Sequence, residues 1–266
     1  MTKKQIFSGN ILILIPTYNE SDNVQRIYFQ IRHLYNDFHI LFIDDNSPDG
    51  TGKIIDQLIR SDAKIHVLHR KSKLGIGSAH LQGIKWAYQH HFKNLLTMDC
   101  DFSHSPKYIK KFLYYSKIYD VVIGSRYLKH NSLADWNWYR KALTYLGHLF
   151  TKYLLQIPYD ASGAYRFYKL NKINKKCFNL ITAKNYSFFF ESLLVFKLNK
   201  YSIKEFPIVL PSRTHGYSKM TLIDAAMSLK RLIKDFFIIL RNRKAFLDIN
   251  YSSDTRKKGL DKNQNE

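Results

Sequence analysis

Cysteine is scarce in this chain. Among 266 residues only Cys100 and Cys177 occur. Two distant cysteines form no zinc or iron–sulfur spacing, and they point to a reducing compartment. Long apolar runs are also missing. No charge-free stretch reaches the 18 residues or so that a membrane-spanning helix needs. The opening "MTKKQIFSGN" passes into "ILILIP" without a signal-peptide h-region or a small-residue cleavage site, so no secretory signal is expected. Any meeting with a membrane is then expected from the side. No internal repeat is present. The turn after the first apolar run, "PTYNE", carries no glycine-rich dinucleotide fingerprint, and "GIGSAH" lacks the Lys-Ser/Thr ending of a P-loop. Those two ways of holding phosphate are excluded.

What is present is charge. The net charge is +21, with hydrophobic content of 45%. Such a balance suits an anionic partner: nucleic acid, an acidic membrane surface or a phosphorylated substrate; a lysine-rich compositional bias is the bland alternative. Nucleic acid is the weakest of these. The basic residues are dispersed, and neither an RNA-binding aromatic motif nor a helix-turn-helix pattern stands out.

The first half alternates between apolar strands and amphipathic helices. Strands are expected at 11–15, 39–43, 65–68, 94–98 and 120–123, with helices at 24–35, 51–60 and 76–90. Ser105 and Pro106 read as a helix cap and first helical position. This alternation predicts an α/β fold, a mostly parallel central sheet with helices on both faces. The second half is less regular: a helix at 140–155, a strand at 163–168, a helix at 187–199, and an edge or annex strand in "YSIKEFPIVL". A helix at 222–240 places Leu222, Ala226, Leu229, Ile233, Phe236 and Leu240 on one face, with Lys230, Arg231 and Lys234 opposite. It either packs on the protein, lies in a membrane interface, or does both. The polar tail from about 248 to 266 is expected to be disordered.

Ligands of open α/β sheets bind beyond the carboxyl ends of the strands. Three polar clusters arrive there: "PTYNE", "DDNSPDG" and "DCDFSHSP". Asp99 and Asp101 lie two apart, so in extended chain they face the same way. Two carboxylates that close repel unless a cation or a proton lies between them. Oxygen ligands at a polar edge suit Mg²⁺ or Mn²⁺ shared with substrate phosphates; the alternative is one capping and one solvated aspartate. His104 reads as a loop or helix-start residue rather than a base, and His90 and His91 cannot both face one metal. Gly75 and Gly77 open a helix, either as turn chemistry or to let a substrate approach the helix N-terminus. Glu191 sits inside the aromatic run "YSFFFESLLVF", where an unpaired carboxylate is costly.

Taken in order, "ILILIPTYNE", "IDDNSPDGT", "GIGSAHLQGIKWA", "MDCDFSHSP", "GSRY", "WYRKALTYLG", "DASGAYRFY", "FFFESL" and "SRTHGYSKM" resemble the inverting glycosyltransferases of the nucleotide-sugar-binding, A-type fold. They resemble most the dolichyl-phosphate (polyprenyl-phosphate) mannose synthases, over roughly residues 11–222. The resemblance implies a catalytic domain at 1–221, with a nucleotide-sugar half to about 125 and an acceptor half from about 126. A basic amphipathic helix at 222–247 follows. It implies nucleoside contacts from Pro16, Tyr18, Glu20, Asp44 and Asp45; a metal held by Asp99 and Asp101 with Ser103 as a third polar contact; and phosphate-side cations at Arg126, Arg140, Arg213 and Lys219. His215 lies in the same late basic loop. Asp101, Arg126 and Glu191 become candidate catalytic residues, Glu191 pairing with Arg126 or Arg166 or lying beside the sugar. Three positions depart from the family pattern: Cys100 for alanine, Ala161 for the usual Ser/Thr, and "LKHNSL" for a glycine-rich turn.

The implied reaction is metal-dependent transfer of mannose from GDP-mannose to a polyprenyl monophosphate, the alternative being a UDP-glucose or other UDP-sugar transferase. The implied setting is peripheral, on the cytoplasmic face of a membrane, with room for a small membrane-anchoring subunit and no nucleic acid partner.

Overall fold

A computed structural model describes residues 10–129, 132–133, 138–210 and 221–248. The first apolar run forms β1 (Ile11–Thr17), followed by α1 (Ser21–Leu34), β2 (His39–Asp44), α2 (Thr51–Ser61), β3 (Ile65–His69), α3 (Ile76–Gln89) and β4 (Asn94–Thr97). Then come α4 (Ile109–Tyr115), β5 (Val121–Ser125), α5 (Trp138–Leu154), β6 (Arg166–Lys169), α6 (Lys175–Asn179), α7 (Phe188–Leu198), β7 (Ile203–Pro207) and α8 (Leu222–Asn242).

The seven strands form one sheet in the order β3-β2-β1-β4-β6-β5-β7. Only β6 runs antiparallel to its neighbours β4 and β5. Along β1 the alternate residues Leu12 and Leu14 enter one core, while Ile11, Ile13 and Ile15 enter the other. An unbroken apolar run is therefore what a two-faced sheet requires.

β1 outlasts the strand expected at 11–15, continuing through Pro16. Leu14 accepts a bond from Met98 on the β4 side, and the β1–β4 register ends there. Pro16 faces the same side two residues later, where no β4 acceptor awaits its missing N–H, so the ring costs no ladder bond. The segment at 203–207 is an edge strand of the main sheet, paired in parallel with β5, not an annex. The short helix α6 was not foreseen.

The two expected halves share this sheet, because β6 inserts between β4 and β5. Running antiparallel, β6 begins at the edge where the parallel strands end. The loop before it, Asp160–Ala164, thus reaches the ligand edge. Left-handed turns lie at the same edge: Asn19 (φ 54°), Asn46 (φ 56°) and Phe102 (φ 63°). Asparagine tolerates this region; a phenylalanine there is strained, as is common where the backbone serves a site.

Candidate active site

At one part of the ligand edge, β1 and β2 deliver their loops side by side. The Asp45 N–H donates to the Thr17 carbonyl (3.1 Å), and Asn19 N–H to Ser47 Oγ (3.0 Å). Pro16 pairs with Ile43 in the register. The Tyr18 ring lies under Lys73 Nζ, 4.6 Å from its centroid. Glu20 is buried; its Oε2 accepts from Asn23 Nδ2 (2.7 Å), and its N–H donates to Thr51 Oγ1 (2.8 Å). Asp44 is buried and accepts the Ser47 hydroxyl (2.5 Å). It also stands 3.8 Å from His69 Nδ1, whose other nitrogen lies 2.9 Å from Asp56. Asp44, Ser47, Asp56 and His69 border a cavity of about 360 Å³ that Asn46, Gly52 and Arg70 also line; Pro16, Tyr18, Glu20 and Asp45 do not line it.

Asp45 forms a two-point ion pair with Arg70, through Nε to Oδ1 and Nη2 to Oδ2, the latter 2.7 Å. Arg70 is itself buried, and its Nη1 donates to Ser78 Oγ (2.6 Å) at the start of α3. The sequence reading missed this partner. The signal was parallel register: Asp44 faces His69 across β2 and β3, so the next residue of each strand must meet.

Asp99 and Asp101 lie beyond β4, which ends at Thr97 rather than at 98. Strand alternation therefore does not align them; a turn does. Ser103 donates to Asp101 Oδ1 through both its N–H (3.1 Å) and its hydroxyl (2.6 Å). Cys100 points into the core between them. The Asp99 N–H donates to His104 Nδ1 (2.9 Å), whose buried ring stacks on Tyr165. An accepting Nδ1 leaves the His104 proton on Nε2, so the 3.7 Å approach of Nδ1 to Asp99 Oδ2 is not an ion pair. Asp101 is buried, whereas the Asp99 side chain is 35% exposed.

Arg126, just past β5, is held by Asp160: Nε to Oδ2 at 2.8 Å, Nη2 to Oδ1 at 2.6 Å, and backbone N–H to Oδ2 at 3.0 Å. Its Nη2 also donates to Ser162 Oγ (2.6 Å), so Ser162 supplies a hydroxyl despite Ala161. Burial works against the Asp160 charge. The Arg126 guanidinium and its hydrogen bonds prevail and hold that carboxyl at about 2. Burial opposes the Arg126 cation as well; Asp160 foremost, with a smaller contribution from Asp99, raises its pKa. Asp99 is thus within electrostatic reach of Arg126. Behind them the Asp160 N–H donates to Glu205 Oε1 on β7. Burial first, and the Asp160 charge after it, push Glu205 up to about 7.

Glu191 departs from expectation. It is 0% exposed and pairs with neither Arg126 nor Arg166. Oε1 accepts from the Thr182 N–H (3.0 Å) and from Arg231 Nη2 on α8, and Oε2 from the Ala183 N–H (2.8 Å). Both oxygens of this sealed carboxylate are bonded, which suits an anchor, and the expected pairing with Arg126 or Arg166 is corrected to Arg231. Arg166 instead donates to the Phe189 carbonyl (2.8 Å) and Ser192 Oγ (2.9 Å). Arg140 lies on α5, its side chain outside the described residues, as are Arg213, His215 and Lys219.

Residues 12–176 match the family described as "Glycosyl transferase family 2". The chain belongs to that family. This glycosyltransferase is 35% identical over 213 residues to a polyprenol monophosphomannose synthase of Mycolicibacterium smegmatis, covering 79% of this chain and 80% of the relative. It is 32% identical to an undecaprenyl-phosphate mannosyltransferase of Micrococcus luteus, covering 79% and 87%. Among solved structures, a glucosyl-3-phosphoglycerate synthase from Mycobacterium tuberculosis in complex with Mn²⁺, UDP and phosphoglyceric acid superposes with a TM-score of 0.58 at 14% identity. That match covers 86% of this chain and 78% of the other. It supports the A-type glycosyltransferase fold and nothing finer.

Proposed function

We propose that this glycosyltransferase moves mannose from GDP-mannose to the phosphate of a polyprenyl monophosphate, with inversion. The observation that carries the reading is the pair of mannosyl-transferring relatives at 32–35% identity, each matched over 79% of this chain. The donor nucleoside is read into the edge formed by Pro16, Tyr18, Glu20, Asp44 and Asp45.

The donor set suits a hard divalent ion. Asp99 and Asp101 supply oxygen, and Ser103 holds one Asp101 oxygen in a fixed direction. Among the described residues no group of three or more His, Cys, Asp and Glu could hold a metal. Mg²⁺ tolerates that, since it commonly takes one or two carboxylates and completes its shell with phosphate and water. When bound, the ion would neutralise charge on the departing diphosphate. A phosphate acceptor is already ionised near neutral pH, so no strong base is required. Arg126, fixed by Asp160, presents an oriented cationic field beside Asp99 rather than a swinging side chain.

The setting is read as peripheral on the cytoplasmic face of a membrane. No helix among the described residues is long and apolar enough to cross one. Most of the large exposed apolar side chains lie on α5 and α8, which pack together. They include Trp138, Leu146, Leu149 and Tyr153 on α5, with Ile223, Ile233, Phe237 and Leu240 on α8. Lys230, Lys234 and Arg241 flank the α8 residues, the composition of an interfacial surface. Helix α8 is read as doing both things open to it: Leu232, Phe236, Ile238 and Ile239 pack on the protein, and of these only Phe236 belongs to the stripe read from Leu222, whose Leu229, Ile233 and Leu240 are exposed. An anchoring subunit is left out of this reading, because nothing observed supports one.

The test is transfer of radiolabel from GDP-mannose to polyprenyl phosphate with Mg²⁺ or Mn²⁺, beside a parallel UDP-glucose reaction. Lipid-phase label from GDP-mannose, lost on chelation, is the expected result. Label from UDP-glucose alone would correct the donor, and label from neither would overturn the lipid acceptor.

A further inference from the structure

The anchor at Glu191 touches more than α8. Its two oxygens fix the backbone of Thr182 and Ala183. The next residue, Lys184, accepts the Ser78 N–H (2.9 Å) in the first turn of α3. That turn has no slack: a Cβ on Gly77 would lie 2.7 Å from the Asn185 carbonyl oxygen and 2.6 Å from Phe188 Cβ. Ser78 Oγ and the Gly75 carbonyl in turn accept from Arg70, which grips Asp45. An unbroken line of short contacts therefore runs from α8 to the donor edge. Its outermost member is Arg231, whose Nη2 meets both Glu191 and Thr182 Oγ1 (2.7 Å) and whose Nε meets Asp235 (2.8 Å).

We propose that Arg231 is a positioning residue for donor binding: through Glu191 and residues 182–185 it seats the start of α3, and with it the Arg70–Asp45 pair. The proposal rests on the reading that this edge takes the donor nucleoside. It joins the helix bearing the exposed apolar surface to the nucleotide site by rigid contacts, with no contact between Arg231 and the substrate. Removing Arg231 would leave Glu191 buried with one fewer partner and loosen the 182–185 segment against α3.

The test measures GDP affinity by calorimetry, with UDP in parallel, and KM and kcat for GDP-mannose. The variants are Arg231→Met, Arg231→Lys, Leu232→Ala and Asp45→Asn. Arg231→Met is expected to weaken GDP binding and raise KM by about five- to tenfold while kcat stays within about twofold, the size of effect that coupled networks show. Arg231→Lys should recover part of the loss. Leu232→Ala loosens the packing of α8 without touching the line of contacts, so it should lower the melting temperature yet leave affinity within about twofold. The proposal is overturned if Arg231→Met binds GDP like the wild type, or if Leu232→Ala loses affinity equally. Should Arg231→Met fail to fold, Arg231→Lys decides by the same KM shift. Asp45→Asn separates the premise: unchanged nucleotide affinity there rejects the donor edge itself. Weakened affinity there with none in Arg231→Met rejects the role of Arg231 alone.

Discussion

Two sets of carboxylates differ in their surroundings: Asp99 and Asp101 in the turn after β4, and Asp160 and Glu191 in ion pairs with Arg126 and Arg231. At Asp99 and Asp101 the acids project past a strand end into a tight turn, and Asp99 is 35% exposed on its side chain. At Asp160 and Glu191 both are 0% exposed and saturated by arginines and backbone N–H groups. In the proposed reading the first pair meets the metal: Asp99 through its exposed part, and Asp101, though buried, from a turn fixed by Ser103. The second spends its charge on holding Arg126, α8 and two loops in place. All four are carboxylates; what separates them is the arginine, which Asp160 and Glu191 each hold in an ion pair.

The sharpest way to break this contrast is to neutralise one acid of each set. Asp101→Asn should cost about 10³-fold in transfer rate, the scale of losing a key electrostatic group, with a melting temperature close to wild type. Asp160→Ala should show the reverse emphasis: breaking a buried pair costs about 3–5 kcal/mol of stability, read as an early denaturant midpoint, with activity falling because Arg126 is released.

Proton linkage sharpens the comparison further. Asp235 on α8 is buried and pushed up to about 7, burial outweighing the pull of Arg231. Between its ordinary value of 3.8 and about 7 the folded state holds the proton more tightly than the unfolded state. Stability must therefore fall as pH rises through that window and level off above it. Asp235→Asn should remove its share of that decline, Glu205 adding a second of the same sign, seen as a difference in denaturant midpoint between variant and wild type that converges at low pH. Asp160 has the opposite sign: its contribution is present above 3.8 and lost as pH falls through about 2.

The smallest effect belongs to His80. It is buried, neither ring nitrogen has a hydrogen-bond partner, and burial depresses it to about 3. His80→Leu should change stability by no more than about 1 kcal/mol, in either direction, because the polar groups it removes are unsatisfied already. A large loss on thermal melting would reveal a hidden partner.

Much of the fold was legible because its signal is local. Short, β-branched apolar runs such as "ILILI" and "HILFI", bounded by turn residues, read as two-faced strands, and their polar exits point to the ligand edge. The antiparallel insertion of β6 was not legible, since nothing in "RFYK" states its neighbours. Within the site, the carboxylate pair and "GSRY" were readable as chemistry. The partners that decide their roles were not. Arg231 lies 40 residues from Glu191 and Asp160 lies 34 from Arg126, and only tertiary packing brings them together. The stripe read on 222–240 was right only at Phe236 for the same reason. That helix is apolar on more than one side, and the side that packs carries Leu232, Ile238 and Ile239 as well, with Arg231 reaching inward to Glu191.

In the proposed reading Asp99 and Asp101 hold the metal that meets the nucleotide, while Asp160 and Glu191 hold the architecture. Calorimetric titration of GDP with and without Mn²⁺ tests it most directly, on the wild type, Asp101→Asn and Glu191→Gln. The account predicts that Mn²⁺ strengthens GDP binding in the wild type and in Glu191→Gln, and that this gain vanishes in Asp101→Asn. A metal-dependent gain that survives in Asp101→Asn, or disappears in Glu191→Gln, would contradict it.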